Sequence, residues 1–212
     1  ILHLLYSRFF MQALSYKNKN FNITEPFKGL FTQGMVCHET YKDKDNNWLS
    51  PEEVDSQDKK NFHKKNNPNE VVLVGPVESM SKSKKNTVDP QEIIKNYGAD
   101  AVRFFILSDS PPEKDIQWSN QGIKASYKFI QKLWELHKKV IDKLNKENTC
   151  DKQDDKNKPL LEFTNSLIEK ISKNVESFNY NVIIANFHEA YNFLNNEIKK
   201  QINNEIFKES YI

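Results

Sequence analysis

Apolar positions in the first sixteen residues recur at steps of three and four: Leu2, Leu5, Phe9 and Ala13, with Tyr6, Phe10 and Leu14 broadening the face. That period predicts a helix, and the width of the face predicts a buried one. Phe21 to Pro26 reads as a turn-rich connector, and Gly29 to Cys37 as a short buried strand whose glycines admit close approach by another group. From Tyr41 to Asn69 the chain turns to Lys, Asp, Asn and Glu, which predicts an exposed hairpin or insertion anchored at Trp48-Leu49-Ser50-Pro51. The β-branched run from Glu70, closed by Gly75-Pro76, predicts a strand that ends in a loop.

Asp89-Pro90-Gln91-Glu92 carries helix-start signals: a capping carboxylate, a proline suited to the first position, and a glutamate placed to reach back. Gly98 ends that helix, and Asp100 is expected to cap the next, with Val102, Phe105 and Ile106 facing a core. Pro111-Pro112 stops it and marks the expected domain boundary. Beyond Ser119 the period is helical. Ile123, Tyr127, Ile130, Trp134, His137, Ile141 and Leu144 form one stripe, opposite Lys124, Lys128, Lys132 and Lys139. A polar linker from Asn145 leads to Pro159 and a second helix with Leu160, Phe163, Leu167, Ile171 and Val175 inward. A third runs from Asn179 to Lys200 on Ile183, Phe187, Tyr191, Leu194 and Ile198. Three such helices joined by polar loops predict a bundle.

Composition narrows the class. Of 212 residues, 37% are hydrophobic and 28% charged, enough for packed cores. No apolar run reaches the roughly 20 residues that span a bilayer, and Ile1 to Leu5 lacks the basic leader of a secretion signal. A cytoplasmic protein with no membrane partner is expected. Cys37 and Cys150 stand far apart, without a CxxC pair or a histidine at zinc-ligand spacing, so reduced thiols and no protein-bound metal are expected. The chain opens inside an apolar stretch and closes just after a helical pattern, which reads as a fragment of something longer. A net charge of +2 neither requires nor excludes a polyanionic partner.

The stretch Ser79-Met80-Ser81-Lys82-Ser83-Lys84-Lys85-Asn86 packs three lysines and three hydroxyls into eight residues, between a strand and a capped helix. Ammonium groups there suit an oligophosphate, since they neutralise charge that builds on β and γ oxygens as an α-phosphorus is attacked. By composition alone such a loop is a solvated turn. Taken singly, His3 and Met35 read as core packing, Trp134 as core, and the lysine row as a solvated helix face.

Met80-Ser81-Lys82-Ser83 resembles the signature loop of the class I aminoacyl-tRNA synthetases. The flanks Gly75-Pro76, Asn86, Asp89-Pro90, Tyr97-Gly98-Ala99-Asp100 and Arg103 extend the likeness. His3 to Phe9, Glu25-Pro26-Phe27, Phe31 to Val36, Pro111 to Asp115 and Gln117-Trp118-Ser119 resemble the leucyl members in particular. The resemblance implies a mixed α/β and α fold. Residues 1–110 would be the C-terminal part of a Rossmann-like catalytic domain, and residues 111–212 an incomplete α-helical anticodon-binding bundle. It implies a ligase that activates leucine with ATP and Mg²⁺ and transfers it to tRNA(Leu), working as a monomer. Lys82 would be catalytic, stabilising pyrophosphate; His3, Gln33, Gly34, Met35, Val36, Met80, Ser81, Lys82 and Ser83 would bind ATP. Ser79 stands where the family pattern begins with a lysine, leaving that work to Lys84 or Lys85 or undone. The first signature of the family and any editing domain are missing from this stretch. An isoleucyl or valyl enzyme, or a non-catalytic RNA-binding module, are the alternative readings.

Overall fold

The computed structural model describes residues 2–58, 61–146, 157–200 and 203–211. It divides into two compact units, Ile1–Thr32 and Gln33–Ile212. The first holds α1 (Leu2–Ser15), where the periodicity places it, yet none of its residues is buried. Leu2, Tyr6, Phe9 and Phe10 are 62–65% exposed, which corrects the expectation of a buried helix. The spacing reports an apolar face, and so short a unit has too little apolar surface of its own to cover one. Its connector folds back on the helix end. Ser15 Oγ donates to Ile23 O at 2.7 Å, and Arg8 pairs with Glu25 at 2.9 Å.

The second unit opens on β1 (Val36–Lys42), later than the predicted strand and running beyond it. The strand starts only at Val36 because the main chain before it is already engaged. Gly34 N–H donates to Pro112 O and Met35 N–H to Asp115 Oδ1, both at 2.8 Å. β1 pairs antiparallel with β6 (Leu73–Ser79) along one edge. Its other edge takes β2 (Trp48–Leu49) near its end and the parallel β7 (Ile116–Gln117) at its start. Gly75-Pro76 does not end β6 as expected; the ladder shifts register there, opposite Glu39 and Thr40, and resumes to Ser79. Proline offers no N–H to a ladder, so it sits at the irregularity, where Thr40 Oγ1 donates to Pro76 O at 3.2 Å.

The polar segment from Tyr41 is no solvated insertion. It forms the β1–β2 hairpin and a second antiparallel sheet of β3 (Val54–Asp58), β4 (Asn61–Lys64) and β5 (Asn67–Val71). A small core of Tyr41, Leu49, Val54 and Val72, with Phe62 against it, holds this part together. Few apolar residues suffice because buried polar groups organise the turns. Asp43 Oδ1 accepts from the amides of Asp45 and Asn47 at 2.9 and 2.8 Å, closing the hairpin over a left-handed Asn46. Leu49, not Trp48, is the buried anchor, and Trp48 carries the Lys42 ammonium over its ring at 4.2 Å.

α2 (Pro90–Tyr97) starts as predicted, with Asp89 Oδ1 accepting from Gln91 N–H, and stops at Gly98, whose φ of +80° favours glycine. α3 (Ala99–Ser108) is capped by Gly98; Asp100 lies inside its first turn and pairs with Arg103 at 2.8 Å instead of capping. α4 (Asn120–Leu144) begins at Ser119, whose Oγ accepts from Gly122 N–H. Gly122 lets α4 approach α3 closely, since a Cβ there would lie 2.4 Å from the Phe105 ring. The resulting cluster joins Ala101, Phe105, Trp118 and Ile123.

α5 (Lys158–Glu176) and α6 (Tyr180–Glu197) follow the predicted helices, with Leu160 and Ile183 buried. Val175, Phe187 and Ile141, expected inward, are 40–49% exposed. A short α7 (Asn204–Tyr211), which the periodicity did not separate, completes the bundle core. Its Phe207 is fully buried with Leu136, Val140 and Leu160, a burial that contributes roughly 1.5–3 kcal/mol. Asn203 caps α7 and is itself held by Asn157 Oδ1 at 3.0 Å. Most of the polar linker after Asn145, and Cys150 within it, lie outside the described residues.

Candidate functional site

The end of β6 and the start of β1 are neighbours in one ladder, with Cys37 opposite Ser79. Met80 N–H then donates to Val36 O at 3.2 Å, so the lysine-rich loop leaves the sheet beside residues 33–36. Val36 and Met80 both pack against the Ala101, Phe105, Trp118 and Ile123 cluster. The methionine is an apolar anchor for the loop, a use suited to its pliant side chain.

From that anchor the loop turns through a single 3₁₀ turn, Lys82–Lys84, and reverses at Lys85, whose φ of 54° is left-handed. Ser81 Oγ and Ser83 Oγ share a hydrogen bond of 2.8 Å. The three lysines are not equivalent. Lys84 forms an ion pair with Glu78. The charge of Lys85 acts on Glu53, whose carboxyl is held below its usual range mainly by the Ser50 amide and, more weakly, by Lys85 and Lys64. Lys82 is exposed, and no ion pair or hydrogen bond of its ammonium occurs among the described residues. Of the three, Lys84 is the one whose ammonium is already paired, and Lys82 stands free at the start of the turn.

Gly34 is a place of close approach, but the approaching group belongs to the chain itself. A Cβ on Gly34 would lie 2.0 Å from the carbonyl oxygen of Lys114. With Gly34 N–H on Pro112 O, Met35 N–H on Asp115 Oδ1, and Met35 O accepting from Ile116 N–H at 2.8 Å, this stretch is bound to the 112–116 loop. The Met35 side chain is 56% exposed, and Gln33 is also exposed. Gln33, Gly34, Met35, Val36, Met80, Ser81, Lys82 and Ser83 therefore share the second unit, around the start of β1 and the end of β6. His3 belongs to the first unit, where its ring lies 6.2 Å from that of Phe27.

Two groups that the sequence reading left without a role hold this region together. Asp115 secures Met35, and Asn86, fully buried, accepts from Ser81 N–H at 2.8 Å. Neither follows from periodicity, because both act through a single side chain on backbone groups outside any repeating element. Cys37 is buried in β1, and burial, with Asp115 nearby, pushes its thiol up, away from a reactive thiolate.

On the bundle, Trp134 is 62% exposed, which corrects its assignment to the core. Its ring stacks on His137 at 5.6 Å, and His137 on Tyr211 at 5.9 Å. The apolar stripe of α4 is instead buried through Ile123, Phe129, Leu136 and Val140. His188 meets Phe129 in a tilted contact with ring centroids 3.8 Å apart, and partial burial, then the charge of Lys132, holds its imidazole below the ordinary value. Among the described residues no three of His, Cys, Asp and Glu gather as metal ligands, and no helix is long and apolar enough to cross a membrane.

Residues 69–119 match the family model described as tRNA synthetases class I (I, L, M and V). The chain is 44% identical over 201 residues to the leucine–tRNA ligase of Rickettsia bellii (strain RML369-C), covering 95% of this chain and 23% of that protein. It is 45% identical over 202 residues to the leucine–tRNA ligase of Rickettsia canadensis (strain McKiel), with the same coverage of both chains. Among solved structures, the LeuRS of the Agrobacterium radiobacter K84 agnB2 ternary complex LeuRS–tRNA–LeuAMS superposes with a TM-score of 0.68 at 23% identity. That likeness covers 99% of this chain and 23% of that one. The chain thus spans about a quarter of the length of the curated relatives it matches.

Proposed function

We propose that this chain, which belongs to the class I tRNA synthetase family, is the part of a leucine–tRNA ligase that carries the pyrophosphate-stabilising loop and the first helices of the tRNA-binding bundle. In this reading the carboxylate of leucine attacks the α-phosphorus of ATP, leucyl-adenylate forms and pyrophosphate leaves. A hydroxyl of the terminal adenosine of tRNA(Leu) then takes the leucyl group. The enzyme works in the cytoplasm as a monomer. Residues 1–110 complete the nucleotide-binding domain and residues 111–212 begin the RNA-binding one.

One observation carries the reading. The Met80–Val36 hydrogen bond sets the lysine loop beside residues 33–36, so adenosine and triphosphate could be met by adjoining pieces of one sheet end. Lys82 is the catalytic cation: Lys84 is occupied by Glu78, and Lys82 is the lysine that the family's signature loop carries over. Gln33, Gly34, Met35 and Val36 then line the nucleoside side, Gln33 and Met35 by exposed side chains, since the Gly34 and Met35 amides are spent on residues 112 and 115 and Val36 packs into the core. Ser81 and Ser83 shape the phosphate side, and Met80 anchors it. Magnesium enters on the phosphate oxygens of the nucleotide, and the loop supplies positive charge to the same group.

The test is ATP–pyrophosphate exchange by the intact protein of which this chain is a part, with leucine, isoleucine and valine in parallel. Leucine alone should sustain exchange. Lys82→Ala should lower adenylate formation about 10²–10³-fold while ATP binding changes little, the signature of a contact made in the transition state. Exchange sustained by isoleucine or valine instead moves the protein to a sister enzyme, and no exchange with any of the three leaves a binding module.

A further inference from the structure

We propose that Asn86 is the positioning residue of the signature loop, holding the start of the loop at a fixed point on the sheet so that Lys82 is presented from a rigid base. The inference rests on the reading of Lys82 given above and extends it to a residue that touches no substrate. The Asn86 side chain is fully buried, unusual for an amide a few residues from an exposed lysine loop. Both of its polar atoms are used. Oδ1 accepts from Ser81 N–H at 2.8 Å, and Nδ2 faces the carbonyls of His38 and Glu78 at 3.3 Å and of Ser79 at 3.5 Å.

Those partners lie on three pieces of chain: β1, the last two residues of β6, and the first polar residue of the loop. The amide thus ties Ser81 to the paired strands across the loop opening. Lys82 follows Ser81 directly, and the chain returns to the anchor at residue 86 after the left-handed turn at Lys85. Only residues 82–85 are free of the anchor, so the span of chain that can move carries all three lysines and little else. No other side chain of this size fills both roles: aspartate has no N–H to give the three carbonyls, and leucine has no acceptor for Ser81. A half-buried Ser81 amide or a set of strand-end carbonyls left unpaired would reorganise the opening of the loop.

The experiment uses the intact protein with Asn86→Ala, Lys82→Ala and the double variant, and Asn86→Ser where the alanine variant does not fold. For Asn86→Ala, kcat of leucine-dependent exchange is expected to fall about 30-fold with KM for leucine unchanged within about twofold. In the Lys82→Ala background the same substitution should cost less than about twofold further, since it acts through the lysine. Trypsin cleavage after Lys82, Lys84 and Lys85 should accelerate about tenfold, while the melting transition stays cooperative. Losses that multiply in the double variant, or an unchanged cleavage rate, overturn the proposal. If the unsubstituted protein shows no leucine-dependent exchange, the functional reading fails by itself, and the cleavage rate still decides whether Asn86 anchors the loop.

Discussion

At Lys85 side chain and backbone disagree. Its φ of 54° is the left-handed conformation, which costs an L-residue with a Cβ roughly 1–2 kcal/mol. Glycine pays no such strain but loses about 0.5–1 kcal/mol more chain entropy on folding. Lys85→Gly should therefore stabilise the protein by up to about 1 kcal/mol, seen as a raised urea midpoint, with leucine-dependent exchange kept if Lys82 is the working cation. At this scale the sequence was informative for some local interactions and not for others: Asp100, expected to cap α3, pairs with Arg103 instead. The Asp89 cap was visible because donor and acceptor lie two residues apart. Asp115 was hidden because its partner lies eighty residues away, and Asn86 because its amide joins the nearby loop to β1 forty-eight residues back, neither of which a periodic pattern records. The Met-Ser-Lys-Ser run was legible through resemblance alone.

Among the elements, the segment from Tyr41 shows where pattern reading stops. Lys, Asp and Asn suggested solvent, yet Asp43 is buried and spends its carboxylate on the hairpin, with Lys64 nearby at 3.7 Å. Hydrogen bonds from the Asn47 amide foremost, then from the Asn47 side chain and the Asp45 amide, with Lys64, hold the Asp43 carboxyl below its usual 3.8. A carboxyl so lowered contributes stability that is complete above the unfolded value and is lost as pH falls through the folded one. The urea midpoint should drop as pH is taken below about 4, and Asp43→Asn should flatten that part of the profile. An unaltered slope in the variant would count against the hairpin role. The strand before it was misplaced for a related reason: residues 29–35 have strand-like composition, but Gly34 and Met35 bond a loop some eighty positions on.

Across the second unit, the sheet and the helices share one apolar cluster, in which Val36 and Met80 meet Phe105, Trp118 and Ile123. Periodicity found the helices of the bundle but not its fourth member, because Ile206 and Phe207 stand in a stretch too short to repeat. The seam between sheet and helices runs through Gly34. Gly34→Ala would drive a methyl into the Lys114 carbonyl, a contact that neither backbone yields to. A loss of about 3 kcal/mol or more in urea unfolding is expected, together with weakened pairing of β7. A destabilisation under about 1 kcal/mol would mean that the two backbones can part.

That contact has a mechanical consequence. Two stretches of main chain pressed together without a side chain between them cannot slide independently, so residues 33–36 and 112–116 travel as one body. Any tilt of α4 that drags Ile116 and Trp118 must pull on the first residues of β1, and through the Val36 carbonyl on Met80. A load applied to the helices far from the lysines is in this way delivered to the root of their loop, by a joint whose stiffness comes from a missing methyl group.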